Sequence, residues 1–130
     1  MTVVDAAVWI DYLEGHPSMA TDRLDQLLGV DMVLLADLGL MQVLQHFQDH
    51  SQYPAICRIL AAVPILPVGG AHMARQAADN LRLLHQQGHA RIEMLSSLIA
   101  TYCIEHHHRL LFTDMSYQPF VQHLGLQTPT

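Results

Sequence analysis

The stretch TVVDAAVWIDYLEG, residues 2–15, decides how the rest of the chain is read. It opens as a short apolar run closed by Asp5, the pattern of a buried strand; VWIDYLEG then carries apolar residues at helical spacing up to a glycine stop. A strand that ends in an acid and turns at once into a helix is a unit of an open α/β sheet. In such sheets the working groups lie beyond the carboxyl ends of the strands.

The same alternation continues outward. SMATDRLDQLLG (18–29) offers Ser18 as a cap, Leu24, Leu27 and Leu28 as an apolar side and Gly29 as a stop, and DMVLLA (31–36) follows as an apolar run of strand length. LADLGLMQVLQHF (35–47) reads as a helix capped by Asp37. At about 100° per residue, Leu40, Val43, Leu44 and Phe47 face a core, while Gln42 lies with Leu38, Gln45 and His46 on the other side. Ser51 caps a helix through QYPAICRILAAV, with Pro54 tolerated in its first turn, and PILPV (64–68) is an edge or ragged strand. Two amphipathic helices follow, AHMARQAADNLRLLHQQG and RIEMLSSLIATYCIEH; on the second, Glu93, Ser96, Ser97 and Ala100 lie opposite Leu98, Ile99 and Tyr102. RLLFTD ends a strand in Asp114, and SYQPFVQHLGLQ gives a short helical turn and a possible last strand. Strands alternating with helices predict one domain over 1–130, a mostly parallel sheet with helices on both faces.

Composition narrows the function classes. Six arginines, no lysine and 12 acids leave a formal charge of -6 with the 10 histidines neutral. Affinity for a polyphosphate rests on Lys and Arg displacing counterions, so any RNA binding here depends on a local patch. The best membrane candidate, ILAAVPILPVGG, falls short of the roughly 18 apolar residues a spanning helix needs and is broken by Pro64 and Pro67. Cys57 and Cys103, without a CxxC or a secretory leader, read as buried free thiols of a cytoplasmic protein.

Element order and the residues at element ends resemble the PIN-domain ribonucleases, in particular the VapC toxins of bacterial toxin-antitoxin modules. VVDAAVWIDYL resembles the family's first strand and helix, ADLGLMQVLQHF its second acidic helix, SLIATYCIEHHHRLLFTD its third acidic helix and following strand, and DMSYQPF its closing loop. That resemblance implies a three-layer α/β/α sandwich, a Mg²⁺ or Mn²⁺ site built from three or four acids, cleavage of single-stranded RNA or tRNA, a cognate antitoxin-like partner and a homodimer.

Carried over position by position, the resemblance also marks departures. Asp5 and Asp114 match retained acids; Gln42 stands where the family has a Glu, Ser96 where it has the third acid, and Ser116 where a further acid follows Asp114. Met115 replaces the usual basic residue of that loop, and Ala6 and Ala7 replace small hydroxyl residues. Neutral ligands cannot neutralise charge developing on a phosphodiester, so metal binding is expected weak or absent and the nuclease lost or severely impaired.

Rescue by Glu93, one turn before Ser96, is the alternative that preserves an active nuclease; Asp11 is a weaker candidate. His46 and His50, four apart, have the spacing of a Zn²⁺ or Ni²⁺ pair, whereas the consecutive His106, His107 and His108 suit a helix carboxyl end. No GxSxG or glycine-rich phosphate loop is present, and no base lies beside Ser96, Ser97 or either cysteine.

Overall fold

A computed structural model describes residues 1–129. Its elements are β1 (Thr2–Val4), α1 (Ala6–Glu14), α2 (Met19–Val30), β2 (Val33–Ala36), α3 (Asp37–His46), α4 (Tyr53–Ala61), β3 (Ile65–Leu66), α5 (Ala71–Gln86), α6 (Met94–Glu105), β4 (Arg109–Leu111), a 3-10 turn (Met115–Tyr117) and α7 (Gln118–Leu124). The four strands pair in parallel in the order β3-β2-β1-β4. Among the described residues, a single parallel bridge from Arg109 to Gln127 is what forms of the expected last strand.

Strand side chains alternate between two faces, and here both faces are buried. Val4, Val33, Leu35 and Leu111 join Trp9, Leu24, Val43, Phe47, Ile56 and Leu60 in one apolar cluster, under α1 to α4. Val3, Leu34, Ala36 and Leu110 join Leu84, Ile99, Cys103, Tyr117 and Phe120 in another, under α5 to α7. Strands covered on both sides require unbroken apolar runs, which is why TVV and VLLA show no polar alternation. The result is the expected three-layer α/β/α sandwich with a parallel central sheet.

Several boundaries shift for identifiable reasons. Helix α2 runs through Gly29 to Val30, because the chain makes no left-handed turn there; Asp31, in extended conformation, ends it. Ser18 caps the same helix as expected, accepting from the Thr21 amide at 3.1 Å in a reciprocal capping box. Ser51 caps nothing: α4 starts at Tyr53, and the imidazole Nδ1 of His50 accepts the Gln52 amide at 2.9 Å. Asp37 is the first residue of α3 rather than its cap, and its Oδ1 accepts from Leu38 N at 2.8 Å and Val68 N at 3.4 Å. Strand β3 lies at the sheet edge and is only two residues long, bounded by Pro64 and by Pro67, which has no N–H to offer a ladder.

Helices α1 and α6 end in the same way. Gly15 (φ 75°) and His107 (φ 58°) are left-handed. His16 N donates to Asp11 O at 2.9 Å and Gly15 N to Tyr12 O at 3.2 Å; His108 N donates to Cys103 O at 2.9 Å and His107 N to Ile104 O at 3.3 Å. Both are Schellman turns, one with the usual glycine and one with a histidine.

Candidate active site at the carboxyl edge of the sheet

Because every strand is parallel, all carboxyl ends share one edge, and Asp5 stands one residue beyond β1 in its middle. Its carboxylate is buried at 8% exposure and makes no side-chain capping bond to α1. The Tyr117 hydroxyl donates to its Oδ1 at 2.8 Å, across 112 positions of sequence. Burial pushes the Asp5 carboxyl above its ordinary pKa and the nearby Asp114 charge adds to the rise, while the Tyr117 bond and the amides of Ala7 and Ala6 pull the other way.

A cavity of about 150 Å³ collects Asp5, Gln42, Glu93, Ser96, Asp114 and Tyr117, with Ala6, Ala7, Ile10 and Leu95 filling its walls. Gln42 reaches it half-buried from α3 and Ser96 buried from α6. Glu93 sits not on the body of α6 but at its N-cap, in extended backbone and without a capping bond. Asp114 Oδ1 accepts from Ser116 N at 2.9 Å and so starts the 3-10 turn that delivers Tyr117. The Ser116 Oγ is buried with no hydrogen-bond partner, beside an adjoining cavity of about 580 Å³ that also touches His89, Arg91, Glu93 and Asp114.

Five sequence-selected residues therefore line one cavity and the sixth, Ser116, borders it. Tyr117 was missed: a tyrosine in a short polar segment carries no periodic signal, and its role depends on a contact the chain makes only when closed. The small polar side of α6 is not solvated either, since Ser96, Ser97 and Ala100 are all buried, with Ser97 Oγ donating to Met94 O at 2.6 Å. Cys103 is buried and its thiol is pushed up to about 12 by that burial, with the Asp5 charge adding, so it supplies no thiolate. Cys57, expected buried, is half-buried.

The donor set does not fit a hard divalent cation well. Among the described residues, the acids of this edge do not bring three ligand atoms within 4.8 Å of one another, and one oxygen of Asp5 already accepts from Tyr117. Mg²⁺ and Mn²⁺ need several converging anionic oxygens.

The histidine expectations change too. His46 ends α3 with Nε2 at 3.4 Å from Glu14 Oε1, while His50 lies in the following turn; each imidazole packs nearly at right angles to the Phe47 ring. His106 stacks on Tyr102 one turn earlier with ring centroids 4.0 Å apart, and left-handed His107 turns the chain so that the His108 ring lies 6.1 Å from Tyr102 and 6.2 Å from His106.

No family model matches the chain. A VapC ribonuclease of Mycobacterium bovis and ribonuclease VapC11 of Mycobacterium tuberculosis are each 24% identical over 129 residues, 98% of this chain and 96% of the relative. Similar solved structures include VapBC2 from Rickettsia felis bound to a promoter DNA fragment (TM-score 0.74, 14% identity, 98% of this chain and 96% of that one). FitAcB from Neisseria gonorrhoeae follows the same path (TM-score 0.73, 13% identity, 100% and 97% covered). The chain is similar to these VapC proteins along nearly its whole length and shares their fold. At the strand ends of this fold one cavity gathers Asp5, Gln42, Glu93, Ser96 and Asp114.

Proposed function

We propose that this VapC-like protein retains the fold and partner surface of a toxin-antitoxin module while its metal-dependent endoribonuclease activity is lost or severely impaired. The observation that carries this reading is the composition of one cavity: Asp5 and Asp114 remain, while Gln42, Ser96 and the adjoining Ser116 are neutral. Phosphodiester hydrolysis through Mg²⁺ or Mn²⁺ needs anionic oxygens that fix the ions and offset charge developing on phosphorus. A Gln carbonyl ligates without adding charge, and a serine hydroxyl ligates more weakly still. Removing one stabilising group commonly costs about two or more powers of ten in rate, so several neutral positions leave little turnover.

The retained role is binding. VapBC2 of Rickettsia felis and the toxin-antitoxin complex of Klebsiella pneumoniae, TM-score 0.68 to this chain, are assemblies with an antitoxin, and that supports an antitoxin-like partner here. An apolar groove of about 250 Å³ lined by Leu40, Leu44, Cys57, Leu60, Ala61 and Ile65 suits an apolar partner segment. With a charge of -6, RNA binding is weak, and Arg91 with His89 beside the cavity forms the local patch that favours it. A cytoplasmic homodimer completes the proposal.

A second reading has one observation in its favour: Glu93 lines the same cavity as Asp5 and Asp114, so three carboxylates border it. In that reading the protein is an active endoribonuclease with Glu93 and Gln42 as unorthodox ligands. Incubation of the purified protein with a tRNA pool and Mg²⁺ or Mn²⁺ decides between them. The impaired reading expects intact tRNA; cleavage that disappears in Asp5→Asn, Asp114→Asn and Glu93→Gln establishes the second.

A further inference from the structure

We propose that the far end of α1 carries a transition-metal site, separate from the strand edge, in which Asp11, Glu14 and His16 hold a borderline divalent cation such as Zn²⁺ beside His46. None of the four lines the cavity around Asp5.

The site is a product of the turn. Asp11 and Glu14 are three apart and so share one side of the last turns of α1. Left-handed Gly15 then reverses the chain, and the His16 amide bonds back to Asp11 O at 2.9 Å, which swings the imidazole over both carboxylates. His16 Nδ1 lies 3.8 Å from Asp11 Oδ1 and 4.0 Å from Glu14 Oε1, and His46 Nε2, arriving from α3, lies 3.4 Å from the same Glu14 oxygen.

Those distances leave room for an ion between the groups. Hydrogen bonds between such atoms close to about 2.7–3.2 Å, so His16 is bonded to neither carboxylate. Around a tetrahedral ion with bonds near 2.0–2.2 Å, neighbouring ligand atoms stand roughly 3.3–3.6 Å apart; the His46–Glu14 separation of 3.4 Å falls in that span, and the His16 separations of 3.8 and 4.0 Å are a few tenths wider, within reach of exposed side chains that close on an ion. Donor chemistry agrees: imidazole nitrogen mixed with carboxylate suits Zn²⁺ or Ni²⁺, whereas Mg²⁺ and Ca²⁺ take all-oxygen shells. Two acids at a helix carboxyl end also oppose the helix dipole, and a bound cation removes that conflict. The ligand atoms of Asp11, Glu14 and His16 all lie within 4.8 Å of one another, and their partial exposure leaves an open path for entry.

Titration calorimetry of the full chain with Zn²⁺ tests this. The expected result is one ion per chain, with affinity reduced at least about tenfold in both His16→Ala and Glu14→Gln, since even outer-shell partners of a ligand are worth about 10–100-fold. Asp5→Asn is expected to bind as the parent does, and circular dichroism confirms that each variant folds. Absence of Zn²⁺ binding by the parent chain overturns the proposal. So does binding that survives His16→Ala and Glu14→Gln, or that is lost in Asp5→Asn. Binding lost in His89→Ala also overturns it, by placing the ion at the other imidazole pair, His89 and His123, whose Nε2 atoms are 3.1 Å apart.

Discussion

Helix α1 carries acids at both ends, and the two ends treat them in opposite ways. At its start Asp5 is buried, held by the Tyr117 hydroxyl and raised in pKa by its loss of water. Toward its finish Asp11 and Glu14 are partly exposed, with imidazoles from His16 and His46 around them. The helix dipole favours an anion at the first position and opposes it at the second. Yet Asp5, on the favourable end, is penalised as an anion, because its loss of water outweighs the dipole. What the contrast teaches is that the number of acids near a helix end says little until their solvent and partners are known.

The strongest way to break the contrast is at Tyr117. Tyr117→Phe leaves a buried carboxylate oxygen unsatisfied and is expected to cost about 1–3 kcal/mol in urea unfolding. Next is the turn that shapes the other end. Nothing lies within 4 Å of a Cβ built on Gly15, so Gly15→Ala tests backbone strain alone and should cost about 1 kcal/mol. The converse, His107→Gly at the matching turn of α6, should gain a similar amount, about 1 kcal/mol, as a rise in Tm.

Asp5→Asn works in the stabilising direction and sharpens the pH dependence. A carboxyl whose folded pKa lies above its ordinary 3.8 binds its proton more tightly than in the unfolded chain. That contribution is complete below 3.8 and is lost as pH rises through the folded value. The variant, with no charge to bury, is therefore expected to gain on the parent as pH rises, read as a Tm difference larger at neutral than at acid pH. Smallest is Glu14→Gln without added metal: its neighbours are solvated, and a change within about 0.5 kcal/mol is expected. A larger loss would mean that the His46 contact holds α3 to α1.

Much of this was legible in the residues. TVVD and VLLAD marked strands because a strand buried on both faces must be apolar throughout, and Ser18 and Gly15 marked helix ends because capping and left-handed turns have narrow residue preferences. Asp5 and Asp114 stood out at strand ends and Gln42 and Ser96 on the polar sides of their helices, the family resemblance gave these positions their expected roles, and all four line one cavity. Ser51 and Gly29 misled because their residue types permit a cap or a stop without requiring one. His106, His107 and His108 do mark the carboxyl end of α6, but the residues did not show that left-handed His107 turns His108 back beside Tyr102.

By itself, then, the chain's pattern of apolar runs and stops determined the order of strands and helices and the parallel sheet that joins them, since hydrophobic burial acts through local period. Only the tertiary structure decided that Tyr117 satisfies Asp5, that Glu93 faces the same cavity and that His46 reaches Glu14. Those contacts depend on angles and distances between elements far apart in the chain, and no local pattern encodes them.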